Sequence, residues 1–417
     1  MGNKLLEGVK VVELANFVAG PAAGKFFVDA GADVYRIEAA NGDPLRFTAV
    51  SEGRPFNLEE NPTMELENGG KKDISIDTRT PEGMEILHKL LSNADIFFTN
   101  WRNKALVKSG LDYDTLKQKY PKLVYGIITG YGEGGPDDNL PGFDYTAFFS
   151  RGGYLETLRP KSGLPFNVVP GAGDHNVAMN LVAGMLAALY HAKVTGKGER
   201  VETSLFETAV FNLSMSHQSA QYHEPGTFLP MDPRTAPNPL LNCYRTKDNR
   251  YIMMCFPNYD TYYAKFMDVL GHPEMIGNER FSPVNNMTKN NTGGEVYDLV
   301  QSEFEKKTAE EWLPILNAAD LPCALCKNGL EILNDEQAWG NGTLVEFTYP
   351  SGQKRTLIRQ PIRYREMGLP EALRAPQVGE NSREVLAELG YTKEEIKELE
   401  EKNIIYVYDR ATFKSLV

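Results

Sequence analysis

Thiol and imidazole are scarce in this sequence, with four cysteines and six histidines among 417 residues. Four cysteines cannot make the disulfide framework of a small secreted domain. Cys323 and Cys326 form one C-x-x-C, with no second pair and no histidine at zinc spacing, so neither redox nor metal chemistry follows. Cys323 comes after Pro322 in an apolar stretch and reads as a buried thiol, packed as a small hydrophobe. The histidines are scattered, and no metal site is expected. A basic surplus is missing too. The formal net charge is −12, which disfavours nucleic acid as a partner, because phosphates need a basic face. No apolar run reaches the roughly 20 residues of a membrane helix. The opening segment KLLEGVKVVELANFVAG carries Glu7, Lys10 and Glu13 within it, so it is neither a signal core nor an anchor. These absences describe a cytoplasmic globular protein with no membrane partner.

The common phosphate and nucleophile motifs are absent as well. Gly20-Pro-Ala-Ala-Gly-Lys25 has three residues between its glycines, where a nucleoside-triphosphate loop needs four, and Phe26 stands where a hydroxyl should bind magnesium. No G-x-G-x-x-G follows the first strand pattern, which disfavours a nicotinamide cofactor. No G-x-S-x-G elbow exists, which disfavours a serine hydrolase.

What is present is alternation. Strands are predicted at residues 9–14, 32–38, 74–77, 95–100, 123–129 and 201–205. Helices fall between them, one near 22–30 and one opened by Thr80 as cap with Pro81 at the first helical position. This is the pattern of an α/β domain with a doubly wound, Rossmann-like parallel sheet. The large domain starts with residues 1–222. A proline-rich linker follows at 223–243, then a small α+β domain at 244–325. Residues 326–417 form a second linker and a C-terminal part that returns to the large domain. That part holds strands near 344–347 and 356–359 and a charged helical hairpin whose charges read as a solvated face.

The most informative carboxylate is Asp174, in the run GAGDHN. It precedes a long Ala/Gly-rich stretch whose apolar positions Ala178, Val182, Met185, Leu186 and Leu189 recur at helical spacing, with Gly196 and Gly198 as stop signals. Asp174 therefore sits at or just before a helix N-terminus. First-turn amides and the helix dipole would keep it ionised there, as a carboxylate nucleophile requires. An ordinary N-cap aspartate has the same signature. Asn16, Arg79, Asn100 and Trp101 fall just after strand patterns, at the sheet edge where ligands bind in such folds, though turns select Asn in any case. Lys71, Lys72, Arg102, Lys104 and Lys108 read as solvated surface charge.

Several long segments, taken in order, resemble the class III (formyl-CoA transferase-like, CaiB/BaiF) CoA-transferases. They are GVKVVELANFVAGPAAGKFFVDAGADVYRIEAANGDPLR, KKDISIDTRTPEG, ADIFFTNWRNKAL, GDHNVAMNLVAGMLAAL and VTGKGERVETSLFETAV. The resemblance implies a large Rossmann-like domain built from both chain ends, a small inserted domain and an interlocked homodimer. It implies an acyl-CoA and a carboxylic acid as substrates, with no permanently bound cofactor. Asp174 becomes the nucleophile that carries an acyl group, first as an anhydride and then as an aspartyl-CoA thioester. Asn16, Phe17, Val18, Ala19, Ile76, Arg79, Asn100, Trp101, Lys108 and Leu205 become CoA contacts, and Asp144 a second carboxylate near the reaction centre or a structural hydrogen-bonding group.

Val18 stands where the oxalate-using members have glutamine, and Phe143 where they have tyrosine. Their tetraglycine loop is replaced by TAPNPLLNCYRTKD. An apolar acid suits such a pocket better than oxalate. The chain is most similar to the branch that uses 2-hydroxy acids, phenyllactate or 2-hydroxyisocaproate, with an enoyl-CoA partner. Two rivals stand beside this reading. An acyl-CoA racemase of the same fold needs a histidine before the Asp144 position, but Phe143 cannot move a proton. A non-catalytic nucleotide-binding protein would leave Asp174 dispensable.

Overall fold

Runs of branched and aromatic residues form strands because a parallel sheet buries both faces. The computed structural model describes residues 4–161, 163–224 and 232–409. In it these runs become β1 (Lys10–Leu14), β2 (Asp33–Glu38), β3 (Lys72–Ile76), β4 (Ile96–Thr99), β5 (Val124–Thr129) and β6 (Arg200–Ser204). All six are parallel in the order β3-β2-β1-β4-β5-β6, and Ile405–Tyr406 pairs antiparallel outside β3. The winding reverses between β1 and β4, and a crevice opens there at the strands' carboxyl ends.

The chain divides into two compact units, Met1–Tyr154 with Asn167–His217 and Asp335–Val417, and Leu155–Phe166 with Gln218–Asn334. Leu155–Phe166, placed by sequence in the large domain, clusters with the second unit. Residues 225–231 of the predicted linker lie outside the described residues. The second unit holds an antiparallel sheet of Cys243–Arg245, Tyr251–Met254 and Cys323–Leu325, over a core that includes Phe256, Phe266, Phe304 and Trp312. The buried-thiol expectation fails. Cys323 is half-buried, and Cys243, Cys255 and Cys326 are exposed. The middle strand turns Ile252 and Met254 inward but Met253 outward, and Cys243 pairs with Met253.

In the first unit, helix α1 (Ala19–Asp29) starts three residues earlier than the predicted position at 22. It packs against α2 (Pro62–Asn68) and against the long helix Ala172–Thr195. That long helix also covers β5 and β6. By length and composition it is apolar enough to cross a bilayer, which corrects the expectation that no such run exists. Its charged residues, Asp174 in the first turn and Lys193 in the last, stand at its two ends.

Beneath the sheet edge lies a buried charge cluster. Arg36 of β2 bonds Asp43 at 2.6 Å and Asn68 at 2.7 Å and pairs with Glu13 of β1 at 3.3 Å. Lys71, expected at the surface, is buried. Its ammonium donates to Glu13 at 2.7 Å, to the Pro21 carbonyl at 2.8 Å and to Asn68 at 2.9 Å. All three protons are used, which is what makes burial of the group tolerable. Burial still pulls its pKa down to about 8, against the pull of Glu13. Gly24 of α1 passes directly over this pair, and a β-carbon there would collide with Glu13 Oε2.

Lys71→Met leaves the Glu13 carboxylate short of a partner in a dry site. It is expected to cost about 3–5 kcal/mol in urea denaturation followed by circular dichroism. Lys104→Met, which alters an exposed cation, should stay within about 0.5 kcal/mol. Equal effects would refute the structural role of the buried cation.

Candidate active site

The crevice between β1 and β4 widens into a cavity of about 990 Å³, at the upper end of the range for small-molecule sites. Every residue that lines it belongs to the first unit. Its floor is set by a clamp between the two loops. Asn100 Nδ2 donates to the Asn16 carbonyl at 2.8 Å, and the Asn16 N–H donates back to Asn100 Oδ1 at 3.1 Å. Thr99 adds a hydroxyl bond to the Leu14 carbonyl at 2.7 Å and accepts the Trp101 N–H at 3.0 Å.

Phe17 sits in the left-handed region at φ 61, a conformation that costs a non-glycine residue roughly 1–2 kcal/mol. Asp43 holds it there by accepting the Phe17 N–H at 3.0 and 3.1 Å. The turned-out Phe17 ring meets Phe143 edge to face, centroids 6.0 Å apart.

Asp174 is not a cap. Gly171, at φ 90, takes the N-cap position, and the helix runs from Ala172, so Asp174 is the third helical residue. Its carboxylate makes no hydrogen bond among the described residues. Nor does the helix start keep its acidity ordinary. Burial, then the Asp144 charge, push it up to about 7, while His175 pulls it back and Glu67 adds to the rise. Asp144 begins the π-helical turn Asp144–Arg151. Its Oδ2 accepts the Gly171 N–H at 2.8 Å, and its Oδ1 is buried without a hydrogen-bond partner. Burial raises its pKa as well, against the Gly171 and Gly173 amides and the His175 charge. A β-carbon at Gly173 would strike Asp144 Oδ1 and the Phe148 ring, so the helix can approach Asp144 this closely only with glycine.

Of the residues singled out by sequence, Asn16, Phe17, Val18, Ala19, Asn100, Trp101, Phe143, Asp144, Asp174 and Leu205 line this cavity. Ile76, Arg79 and Lys108 do not. Ile76 is in the core and pairs with Ile405. Arg79 is 89% exposed and ion-paired with Asp77 at 2.8 Å, and Lys108 is exposed on the last turn of the helix Asn103–Ser109. Sequence reasoning missed His175 and Glu67, which share the wall with Asp174. The available signal was a histidine adjacent to the key aspartate, discounted because the histidines at large are scattered. No group of three metal-binding side chains occurs among the described residues.

Residues 6–382 match the family described as CoA-transferase family III. The chain belongs to CoA-transferase family III. As a class III CoA-transferase it takes CoA thioesters as substrates. It is 50% identical to a cinnamoyl-CoA:phenyllactate CoA-transferase of Clostridium sporogenes, over 97% of this chain and 98% of that one. It is 42% identical to an (R)-2-hydroxy-4-methylpentanoate CoA-transferase of Clostridioides difficile, over 96% and 99%. Among solved structures, a CaiB/BaiF family protein from Brucella suis matches with a TM-score of 0.77 at 27% identity, over 93% of this chain and all of that one.

The CoA-transferase carries a destabilising charge in this cavity. An acid whose pKa is raised on folding disfavours the fold when ionised. That cost is full above about pH 7 and absent below the ordinary value of 3.8. Asp174→Asn is therefore expected to raise the thermal midpoint near pH 8, with the gain shrinking as pH falls toward 4. A gain independent of pH would contradict the burial of an ionisable group at 174.

Proposed function

We propose that this CoA-transferase moves CoA from an enoyl-CoA, such as cinnamoyl-CoA, to an apolar 2-hydroxy acid through Asp174. The support is the meeting, in one cavity at the switch point of the sheet, of an unpaired carboxylate and a largely hydrocarbon wall. The two relatives named above act on 2-hydroxy acids by their names. Val18, packed beside Leu45, Met64 and Ala375, and the Phe17–Phe143 pair give that wall its apolar character.

The Asp174 carboxylate attacks the thioester carbonyl; the C–S bond breaks, leaving CoA thiolate and a mixed anhydride. The thiolate attacks the aspartyl carbonyl and releases the donor acid, forming an aspartyl-CoA thioester. The acceptor carboxylate displaces the thiolate to give a second anhydride. Thiolate attack at the acceptor carbonyl then yields the new acyl-CoA and restores the carboxylate. No net proton moves, and one difficult exchange becomes several easier ones. Burial of Asp174 keeps water from the anhydride. Asp144, bonded to the Gly171 amide, fixes the start of the long helix and thereby the height of Asp174 in the cavity.

Asn16 to Ala19, Asn100, Trp101 and Leu205 hold the pantetheine end in this reading. Arg79 and Lys108, both exposed on loops or helices that follow β3 and β4, meet the phosphate end beyond the cavity as charge-assisted donors, with Ile76 backing the first of them from the core. An interlocked homodimer belongs to the same proposal. Tyr190 and Val194 near the end of the long helix, and Phe211 and Met215 after it, stand 68–84% exposed, large apolar side chains that a partner chain could cover. Four cysteines without a disulfide suit a reducing compartment, the cytoplasm.

Hydroxylamine added with cinnamoyl-CoA is expected to inactivate the protein and leave a hydroxamate at Asp174, detectable by mass. Asp174→Asn should lose transfer by about a thousandfold or more and escape this labelling. Labelling elsewhere would reassign the nucleophile. Because the nucleophile must be ionised, kcat/KM for the donor should rise with pH through about 7 and then level. A profile flat across neutrality would oppose a perturbed Asp174.

A further inference from the structure

His175 follows Asp174 in the first turn of the long helix, and Glu67 stands buried on α2 with its Oε1 2.8 Å from His175 Nε2. The carboxylate accepts, so Nε2 carries a proton and the tautomer is set by this bond. No other hydrogen bond to the ring occurs among the described residues, and the side chain is 47% exposed. Nδ1 is thus left for whatever fills the cavity. The other two charged neighbours of Asp174, Asp144 and Glu67, are engaged. Asp144 uses Oδ2 on the Gly171 amide while its Oδ1 is buried, and Glu67 Oε1 holds the ring.

The acceptor acid must bring its carboxylate to the carbonyl carbon of acylated Asp174. His175 shares the cavity wall with Asp174, within the neighbourhood of a hydroxyl on the next carbon. We propose that His175, oriented by Glu67, binds the 2-hydroxyl of the acceptor acid through Nδ1 and so selects 2-hydroxy acids over unsubstituted ones. This rests on the 2-hydroxy acid reading above. The contact survives either charge state of the ring. Neutral, Nδ1 accepts the hydroxyl proton; protonated, it donates to the hydroxyl oxygen. Burial lowers the imidazole's pKa, but the Glu67 bond and charge, then Asp174 and Asp144, outweigh it and leave a net rise. The ring thus stands beside three carboxylates, Glu67, Asp144 and Asp174, that favour its protonated form. Glu67 is a positioning residue that acts through the ring.

The test measures kcat/KM with cinnamoyl-CoA as donor and two acceptor pairs, 3-phenyllactate against 3-phenylpropanoate and 2-hydroxy-4-methylpentanoate against 4-methylpentanoate. The unaltered protein should prefer each hydroxy acid by about 10- to 100-fold, the worth of one or two hydrogen bonds to a charged or polar partner. His175→Ala should bring that ratio close to one. Glu67→Gln should narrow it in the same direction, mainly through the acceptor KM. His175→Gln carries the comparison if His175→Ala does not fold. An unchanged ratio in the variants, or a parallel fall for all four acids, overturns the assignment of His175. No preference in the unaltered protein sinks the 2-hydroxy acid reading itself.

Discussion

Arg36 is the group on which the cavity depends. It lies fully buried in the second strand of the parallel sheet and reaches Glu13 on the first strand, Asp43 on the following turn and Asp73 on the third strand. With Arg46 and Lys71 it supplies three cations against four buried carboxylates, Glu13, Glu38, Asp43 and Asp73. One negative charge remains over. Burial, then the Glu38 charge, push Asp73 far above the usual carboxylate range, while Glu38 is held well below it by Arg46 and Arg36 despite its burial. Asp73 is thus the carboxylate at which the cluster most disfavours a negative charge. Such a cluster is poor value as a source of stability, because desolvation offsets most of the attraction. Its return is rigidity. Asp43, fixed by the guanidinium, holds the Phe17 amide and keeps the strained turn after the first strand in the one shape that lines the cavity.

A second tension sits at Asp174. In the proposed mechanism, burial would shield an acylated Asp174 from water and strip solvent from the attacking carboxylate. The same burial, with Asp144 close by, raises the pKa to about 7, so part of the population is protonated at neutrality. Moving the residue outward would restore the charge and admit water. His175 acts against this locally, since the ring, when protonated, lowers the aspartyl pKa without opening the site. A histidine pinned to Glu67 is better suited than a lysine, whose free ammonium would compete for the carboxylate itself.

The strands were legible because both faces of a parallel sheet are buried, which makes segments such as VKVVEL and DIFFTN near-continuous apolar runs. Caps with local chemistry were legible too. Thr80 accepts the Gly83 N–H at 3.1 Å ahead of Pro81, and Gly196 ends the long helix in the left-handed conformation. What failed was non-local. Nothing in the dipeptide Lys71-Lys72 says that one side chain turns inward to Glu13, 58 positions away, while the other pairs with Glu384 and Glu388 near the surface. Asp174 reads from sequence as at or just before the helix start because the sequence cannot show that Gly171 adopts φ 90 and starts the helix early. The site residues that line the cavity come from loops after four different strands, and only the fold brings them together.

The size of the cavity bears on how it chooses a substrate. At about 990 Å³ it lies at the upper end of small-molecule sites, and the Phe17 and Phe143 rings at its wall are partly exposed. Apolar contacts in so roomy a space separate one side chain from another weakly, since a methylene is worth only about 10- to 200-fold even in a tight pocket. The named relatives fit this, one using an aromatic and the other a branched aliphatic 2-hydroxy acid. Discrimination that volume cannot supply must come from polar groups placed near the one atom every substrate brings to the same point, the carboxylate carbon at Asp174. In this wall His175, next to Asp174, is the group proposed for that position.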